Sequence, residues 1–468
     1  MKVIFADIPS TEIKETQAIQ SPNLGILYLI AYIREKLKDI ELYYIEPFLT
    51  VKQHIDKIRE INPDLYGLSF SSLVRERAYN FINYLRKKFP NLPIICGGAH
   101  PSADPDEVLI RSKADICVIG EGEQTTLELI KYFMGDIEDL NQINGLAFKN
   151  NGELIKTNPR KPIKDINTIP MLAWDIIDFK NYYGFTIKKK SPNTYMIVSR
   201  GCPYHCTFCS DPVWKASKPW VRLRDPKKIA EEVLYLYNRG IREIYIRSSE
   251  FNVNTKWAIN ICEEIKKLDL KDLYFQCNLR ANNVTEDLAK AMQDINMWMV
   301  HIGMESGNPR TLKGIRKHIT IKTILDTCKL LKKYKIKVYG FFQMFNIWEE
   351  NNKLQFETPK EVERTLAFAR SLLIKGLVNN ISWVYSTPFP GSDLYTIAKK
   401  YGIIKPNIKD FDPYSVSVIL PGIPEKKMIN IRRKGMILQG IYGLLSGKLN
   451  WKNWRHYLSK VKYIIKSK

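Results

Sequence analysis

Three cysteines stand close together near the middle of the chain and could hold a metal cluster. Cys202, Cys206 and Cys209 form a C-x3-C-x2-C run. Soft thiolate ligands suit iron–sulfur clusters, and three of them on one loop can bind three corners of a four-iron cluster. A structural zinc site would need a fourth ligand and usually a second cysteine pair, whereas the other cysteines are scattered singly in apolar runs. The run therefore predicts a [4Fe-4S] cluster with one iron left open for a small molecule.

The cysteine run also resembles the signature of a known enzyme family. With Phe208 directly before the last cysteine, its spacing is similar to the C-x3-C-x-aromatic-C motif of the radical S-adenosylmethionine (SAM) enzymes. The resemblance implies that the open iron chelates SAM. It also implies that one electron from the cluster cleaves SAM to a 5'-deoxyadenosyl radical.

The resemblance extends to later motifs and implies where SAM binds. Serines replace the acidic pair of the family's Asp-Asp-x-Phe stretch here, while Glu250 keeps a carboxylate that can accept from the SAM ammonium group. Arg280 resembles the arginine that the family places near the SAM carboxylate. A guanidinium group can donate two parallel hydrogen bonds to a carboxylate. Residues 303–307 are similar to the G-x-E-S-G motif, and Lys317 beyond them is expected to be solvated. The expected SAM-binding residues are Phe208, Ser249, Glu250, Arg280, Gly303, Glu305 and Ser306.

The elements around these motifs predict a partial parallel barrel. Strand-like apolar runs alternate with amphipathic helical stretches, and the predicted strands cover residues 195–199, 243–247, 273–277, 298–302, 336–342 and 380–386. Asp225-Pro226 and the capping box Thr358 to Glu361 mark helix starts. Six strand–helix units form an incomplete TIM-like barrel, whose active site should lie at the carboxyl ends of the strands. The cysteine loop follows the first of these strands.

The loop after the fifth barrel strand departs from the family pattern. Relatives commonly read Gly-x-Pro-Gly-Glu-Thr there, whereas this chain has residues 343–348 without glycine and an insertion before Glu357. We therefore expect an altered pocket at this strand end. The turn at residues 387–394 restores the common pattern and is expected to be structural.

Residues 1–145 predict a separate doubly wound sheet with glycine-rich strand ends. Strands and helices alternate, and in such sheets ligands bind outside the carboxyl ends of the strands. The order of these turns resembles the Rossmann-like cobalamin-binding domain fused to many radical SAM enzymes. His100 lacks the D-x-H-x-x-G context of a cobalt ligand, so no protein histidine is expected below the cobalt. The resemblance implies cobalamin contacts at Ser69, Ser71, Gly97, Gly98, Gly120 and Glu121.

The sequence thus predicts an α/β chain with four parts. These are a cobalamin-binding-type domain at residues 1–145, a linker at 146–190, a radical SAM barrel at 191–405 and a basic helical region at 406–468. The length of 468 residues fits two or three domains. No apolar stretch is long enough to span a bilayer, and clustered cysteines without a secretion signal indicate the reducing cytoplasm.

The formal charge of +23 is concentrated near the end of the chain. Residues 425–468 carry twelve Lys/Arg against one acidic residue. From Asn450 onward, tryptophans and aliphatic residues recur at helical spacing between lysines, which is typical of an interfacial helix. Such a helix either contacts a membrane surface or packs on the barrel, and nucleic acid is the less favoured partner.

These features predict cobalamin-dependent methyl transfer to an unactivated carbon of a small-molecule or lipid substrate. An electron donor such as flavodoxin or ferredoxin would reduce the cluster. One alternative is radical carbon–carbon bond or ring formation on a lipid or pigment without methyl transfer. Another, of a different class, is a sensor that binds cobalamin or a cluster without turnover. Methylthiolation of tRNA is disfavoured because the amino-terminal domain lacks a second cysteine triad.

Overall fold

The computed structural model describes residues 1–10, 21–214 and 218–445. Two parallel sheets organise these residues, one in each half of the chain. The basic helix expected from Asn450 onward lies outside the described residues. Across the described ranges, none of the helices combines the length and apolar character of a membrane span.

The amino-terminal sheet has seven strands in the order β2-β1-β3-β4-β5-β6-β7. Strands β1 to β5 run parallel, whereas β6 and β7 extend the edge as an antiparallel pair. The elements are β1 (Lys2–Asp7), α1 (Leu24–Lys36), β2 (Glu41–Ile45), α2 (Val51–Ile61), β3 (Leu65–Ser69), α3 (Arg75–Lys88), β4 (Ile94–Gly97), α4 (Ala99–Ala103), α5 (Pro105–Arg111), β5 (Ile116–Val118), α6 (Gly122–Met134), β6 (Leu146–Asn150) and β7 (Glu153–Lys156). Apolar strands covered on both faces give the doubly wound layout that the sequence predicts.

Local side-chain chemistry fixes where these helices begin. The Asn23 side chain accepts hydrogen bonds from the first turn of α1, and Thr50 forms a capping box with Gln53 at α2. Asp104 caps α5 ahead of Pro105. Such caps satisfy amide groups that a helix start leaves without partners. They also hold the strand-to-helix turns at the carboxyl edge of the sheet in place.

The sheet extends past the predicted boundary at residue 145. Strands β6 and β7 lie within the segment 146–190, where the sequence indicates a linker with turns. Only the first three residues of β6, 146–148, are buried, whereas the rest of β6 and most of β7 are exposed, so the apolar run is too short to mark two strands. The rest of this connector packs against both halves: Ala173 N donates to Leu27 O, and Trp174 Nε1 donates to Glu232 of the barrel.

The second sheet is the predicted partial barrel of six parallel strands, in the order β17-β14-β13-β12-β11-β8. Its elements are β8 (Asn193–Ile197), β9 (Ser199–Arg200), β10 (Arg222–Leu223), α7 (Pro226–Asn238), β11 (Glu243–Arg247), α8 (Thr255–Lys267), β12 (Tyr274–Leu279), α9 (Glu286–Asp294), β13 (Met297–Glu305), α10 (Pro309–Gly314), α11 (Ile321–Lys333), β14 (Lys337–Met344), β15 (Ile347–Glu350), β16 (Lys353–Phe356), α12 (Pro359–Ile374), β17 (Asn380–Tyr385), α13 (Asp393–Lys400) and α14 (Glu425–Leu445). Both predicted helix caps, at Asp225 and Thr358, form.

A buried carboxylate closes the amino end of the barrel. Glu243, at the start of β11, is fully buried and accepts hydrogen bonds from the backbone amides of Lys189 and Lys190 and from Gln276 and Trp298. Four donors compensate the cost of burying this charge. Glu243 therefore fastens residues 189 and 190 to the amino ends of the barrel strands.

The segment after the barrel returns to the amino-terminal domain and is anchored there by Arg75. The Arg75 guanidinium is buried, pairs with Glu107 and donates to the carbonyl oxygens of Ile408 and Lys409. It also stacks over the Phe411 ring at 4.5 Å. Residues 406–412 are thus a strap between the domains, and the helical region predicted for 406–468 begins at α14.

We predict that Arg75→Met lowers the free energy of unfolding by about 3 kcal/mol, because Glu107 loses its buried partner and two buried carbonyls lose their donors. Chemical denaturation followed by tryptophan fluorescence measures the change. The matched control Arg59→Met removes an exposed pair with Asp56 and should cost less than about 0.5 kcal/mol. Equal changes in the two variants would contradict the role of the strap.

Candidate functional site

The predicted cysteine loop lies at the carboxyl end of the barrel, directly after β8 and β9. Gly201 begins it with φ of 81°, and a Cβ there would lie 1.7 Å from the Trp220 carbonyl oxygen, so only glycine fits. The Thr207 amide donates to Ile315 O, and its carbonyl accepts from Leu394 N. These bonds tie the loop to two other strand-end segments of the barrel.

Cys202, Cys206 and Cys209 are half-buried and free of disulfides. In the described residues they do not stand as a preformed three-ligand group for a metal ion. Their chemistry nevertheless fits an iron–sulfur cluster: three thiols on one loop, no disulfide partner, and an anchored backbone. The other five cysteines are buried, as the sequence predicts, and all five pack in apolar cores of the barrel or the first sheet.

A charged group lies beside this loop and brings together several predicted SAM-binding residues. Lys317 Nζ donates to Glu305 Oε1 at 2.8 Å and lies 5.7 Å from the centre of the Phe208 ring. The Arg280 guanidinium donates to Lys317 O and stacks on Tyr204. The expectation that Lys317 is solvated is wrong, since its side chain is 12% exposed. The Lys317 ammonium group can be buried because the Glu305 carboxylate neutralises its charge.

Glu250 lies near the same charges at the end of β11. Its carboxyl group is buried, and burial raises the pKa of Glu250 to about 7 against the opposing charges of Arg280 and Lys317. Ser249 beside it is exposed and lines a cavity. Ser248 Oγ and Arg280 Nε are buried without a hydrogen-bond partner in the protein. Buried polar atoms of this kind indicate a missing ligand, so these residues fit a polar molecule such as SAM.

The end of β13 is shaped for the Glu305–Lys317 pair. Glu305 has φ of 60°, and the strand register shifts between Gly303 and Glu305. A Cβ at Gly303 would lie 2.3 Å from Glu305 Oε1 and 2.7 Å from Lys317 Nζ. Glycine therefore leaves room for the ion pair at this point, and a larger residue would push the two side chains aside. A left-handed residue other than glycine at a strand end is typical of functional sites.

Ser306 does not join this group. Its hydroxyl is fully buried, donates to Glu357 Oε1 at 2.7 Å and lies 3.1 Å from Thr365 Oγ1. The expectation that Ser306 contacts SAM is therefore not supported by the geometry: the side chain ties β13 to the start of α12. Sequence reasoning missed Glu357 as its partner, although the capping box that follows Glu357 marks this turn.

The insertion after the fifth barrel strand forms a hairpin, β15 and β16, outside the cavity. Trp348 is buried against Gly314 of α10, and Glu349 pairs with Lys400 of α13. None of the hairpin residues lines the cavity described below. The insertion therefore supports α10 from outside and does not form part of the cavity wall, in contrast to the altered pocket that the sequence predicts.

One cavity of about 580 Å³ connects the two sheets. Its amino-terminal wall contains five of the six predicted cobalamin residues, and Ser71 is not part of it. Its barrel wall contains Arg247, Ser248, Ser249 and Asn278. A Cβ at Gly97 would meet only the Val118 side chain, at 3.9 Å, so the backbone leaves open space there. This glycine-lined edge fits a large flat ligand such as cobalamin. The five residues are Ser69, Gly97, Gly98, Gly120 and Glu121.

The Glu121 side chain is committed to the barrel. It accepts two hydrogen bonds from Arg222, one from the Ile163 amide, and lies 3.5 Å from Arg200, which also pairs with Glu123. Burial alone would raise the pKa of Glu121, but these arginines outweigh it and hold the pKa below its usual value. Arg200 comes directly before Gly201 of the cysteine loop. We call these four charged residues, Glu121, Glu123, Arg200 and Arg222, the interdomain ion network; sequence reasoning missed its two arginines.

His100 has a structural environment, in agreement with the absence of a cobalt-ligand motif. Its Nδ1 hydrogen bonds with Ser72 Oγ at 2.9 Å, and its Nε2 with Tyr79 OH at 2.6 Å. Burial lowers the pKa of His100 to about 4. Both ring nitrogens are thus engaged away from the cavity.

Family comparisons agree with both halves of this architecture. The profile described as Radical SAM superfamily matches residues 196–353, and the profile described as B12 binding domain matches residues 16–130. The first implies a [4Fe-4S] cluster and SAM, and the second implies cobalamin.

Curated relatives cover most of the chain. An uncharacterized methyltransferase of Pyrococcus horikoshii is 30% identical over 438 residues, which are 90% of this chain and 91% of the relative. An anaerobic magnesium-protoporphyrin IX monomethyl ester cyclase of Cereibacter sphaeroides is 26% identical over 90% of this chain, but the match spans only 66% of that enzyme.

Solved structures share the fold. The cobalamin-dependent SAM radical enzyme OxsB superposes with a TM-score of 0.74 over 99% of this chain and 71% of its own, at 19% identity. The radical SAM methyltransferase TsrM from Kitasatospora setae gives 0.70 over 85% of this chain and 76% of its own, at 16% identity. OxsB is described with aqua-cobalamin bound, and TsrM has also been solved with cobalamin and a [4Fe-4S] cluster. On these findings and the 30% identical relative, the chain belongs to the radical SAM enzymes that carry a cobalamin-binding domain, in the cobalamin-dependent methyltransferase family.

Proposed function

We propose that this chain methylates an unactivated carbon of a small-molecule substrate. The observation that carries the proposal is the single cavity that connects the glycine-lined edge of the first sheet with the barrel strand ends beside the cysteine loop. When bound, the cluster supplies an electron that cleaves SAM, the adenosyl fragment takes a substrate hydrogen as 5'-deoxyadenosine, and cobalamin supplies the methyl group. The electron comes from a donor such as flavodoxin or ferredoxin.

The protein holds SAM by opposite charges in this proposal. Glu250 accepts from the SAM ammonium group, and Arg280 offers its unpartnered Nε to the carboxylate. Glu305 and Lys317 form a neighbouring pair that keeps Arg280 in position, since Arg280 donates to Lys317 O. Phe208 packs beside Lys317 and helps to keep water from the site.

The cobalamin site in this proposal is built from backbone. Ser69, Gly97, Gly98 and Gly120 bring the strand ends close to the ligand, and no side chain intrudes at Gly97. Glu121 acts as a positioning residue, because its carboxylate is fully engaged with Arg222 and Arg200. The ion network keeps the cobalamin edge and the cysteine loop at a fixed separation.

A second candidate reaction is ring closure through a carbon–carbon bond, which the cyclase relatives favour. The two reactions differ in mass: methylation adds one carbon and two hydrogens, whereas ring closure only removes hydrogens. The cyclases are longer than this chain, which spans about two thirds of them.

We predict that the reconstituted enzyme, kept anaerobic and reduced, forms 5'-deoxyadenosine and transfers label from methyl-labelled SAM to a component of a small-molecule cell extract. Mass spectrometry detects both products. Cys206→Ser should abolish both, because the cluster loses a ligand. The control Cys328→Ala changes a cysteine buried in the core and should retain them. Formation of 5'-deoxyadenosine with loss of hydrogens and no label would favour ring closure, and absence of 5'-deoxyadenosine would favour a sensor.

We predict that SAM affinity rises as the pH is raised from about 6 to about 7 and then levels off. The raised pKa of Glu250, about 7, means that the free protein holds a proton there at lower pH, and binding of the SAM ammonium must release it. Glu250→Gln should weaken SAM binding about tenfold near neutral pH, or roughly 1.4 kcal/mol, and remove this proton release.

Calorimetry in buffers of different ionisation enthalpy measures the affinity and the released proton together. Glu363→Gln is the matched control, because Glu363 is an exposed carboxylate on α12 that pairs with Lys434. It should keep the wild-type profile. Unchanged proton release in Glu250→Gln would assign the titration to another group.

We predict that Ser306→Ala lowers the free energy of unfolding by about 1–3 kcal/mol without changing SAM affinity, because it leaves the buried Glu357 carboxylate short of a donor. Thermal unfolding and SAM titration separate the two effects. Ser249→Ala is the comparison: Ser249 is exposed, so stability should stay the same. A weaker SAM affinity with unchanged stability in Ser306→Ala would return Ser306 to the SAM site.

A further inference from the structure

The interior of the barrel contains a continuous group of aromatic side chains that neither cofactor site uses. Neighbouring ring centres lie 4.7 to 5.9 Å apart, and the Tyr245–His301 and Tyr339–Phe341 pairs are stacked. We call this group the aromatic belt; its members are Tyr195, Tyr245, His301, Tyr339 and Phe341. Rings at these separations are in favourable contact and form one connected apolar surface.

The strand register places the belt on the concave side of the sheet. Tyr245 pairs with Tyr195, and His301 pairs with Tyr339, so their side chains share a face. Their strand neighbours on the opposite face, such as Met196 and Ile244, belong to the core under the helices. Tyr195, Tyr339 and Phe341 are only half-buried, so part of each residue remains accessible.

Arg247 lies at the upper rim of the aromatic belt, on the wall of the cavity. Its guanidinium is 4.9 Å from the centre of the Tyr195 ring and 5.5 Å from that of Tyr245. The side chain is exposed although the strand that carries it is buried. Stacking on aromatic rings orients a guanidinium while leaving its N–H groups free to bind oxygen atoms.

The charge of Arg247 is not compensated by the protein. In the part of the chain that the structure describes, it forms no salt bridge, and Ser248 and Ser249 follow it where the family commonly has an acidic pair. The other arginines around the cavity and the cysteine loop bind carboxylates or a carbonyl oxygen: Arg200 and Arg222 bind Glu121, Arg224 binds Glu232, and Arg280 binds Lys317 O. The hydrogen bond of Arg247 to the Tyr245 hydroxyl does not neutralise its charge. A cavity wall with one unpaired cation attracts an anionic group.

We propose that Arg247 and the aromatic belt bind the substrate, and that the substrate is an unsaturated, flat molecule with an anionic oxygen group. The anionic group contacts Arg247, while the flat part lies against Tyr195, Tyr339 and Phe341. The inference that the bound molecule is the substrate rests on the proposed function. The binding site itself is testable without turnover.

The test uses 2-naphthoate and 2-naphthamide, which share a flat ring system and differ in charge. Each is titrated by calorimetry into enzyme loaded with cluster and cobalamin, so that the glycine-lined edge is occupied. The wild-type protein should bind the acid about tenfold more tightly than the amide, which corresponds to about 1.4 kcal/mol. Arg247→Gln should remove this preference, and Arg370→Gln, on the outer helix α12, should keep it.

A second variant separates the ring contacts from the charge. Phe341→Leu should weaken both probes several-fold and leave the preference for the acid unchanged. Equal affinity of acid and amide for the wild type, a preference that persists in Arg247→Gln, or no binding of either probe would overturn the proposal. Thermal unfolding of each variant confirms that it is folded.

The labelled-methyl experiment gives an independent arm. The extract is separated on an anion exchanger before reaction, and the retained fraction should contain the acceptor. Label found only in the unretained fraction would overturn the substrate class while supporting methyl transfer. Absence of label in every fraction would count against the proposed function, and the naphthoate titration would still decide the Arg247 site.

Discussion

The arrangement of the molecule depends on the interdomain ion network. Arg200 and Arg222, which flank the cysteine loop, meet Glu121 and Glu123 of the first sheet in a largely buried setting. Buried ion pairs add little net stability, because desolvation offsets their attraction, but removing one partner is costly. Such a network therefore fixes relative position rather than supplying folding energy. Arg200 is the residue before Gly201, so a shift of the first domain would act directly on the loop that is expected to bind the cluster.

The parallel sheets explain why contacts between the two halves produce a shared site. Every strand of the barrel sheet, and β1 to β5 of the first sheet, has its carboxyl end at a common edge. Loops with glycine, serine and charged residues gather at those edges, since the strands themselves are apolar. Once the ion network and the Arg75 strap bring the two edges together, one cavity spans both. The amino ends of the strands lie on the opposite side. In the barrel, Glu243 holds residues 189 and 190 against them.

The sequence allowed the general plan to be predicted, because it depends on local patterns: the cysteine spacing, the strand–helix alternation, and caps such as Asp225 and Thr358. It was less informative where a residue's partner lies far along the chain. The sequence around Lys317 is that of a solvated lysine, and only the structure places Glu305 beside it. Ser306 resembles a cofactor contact, but its hydroxyl donates a hydrogen bond to Glu357, 51 positions later. Strands β6 and β7 escaped notice because their buried apolar run covers only residues 146–148, and most of the remaining residues are exposed.

The charges at the strand ends of the barrel form two regions with different chemical preferences. Beside the cysteine loop, two carboxylates, Glu250 and Glu305, face two cations, Arg280 and Lys317. A balanced set of this kind suits a ligand with both an ammonium and a carboxylate group, and it would repel neither end of an amino acid. At the aromatic belt, Arg247 has no counter-charge. A zwitterion such as an amino acid finds partners for both of its charges beside Glu250, so Arg247 offers it no advantage. An anion can bind Arg247 without displacing a carboxylate of the protein. The strand ends of the barrel can therefore sort two molecules by charge, because the protein compensates its cations in one region and leaves Arg247 uncompensated in the other.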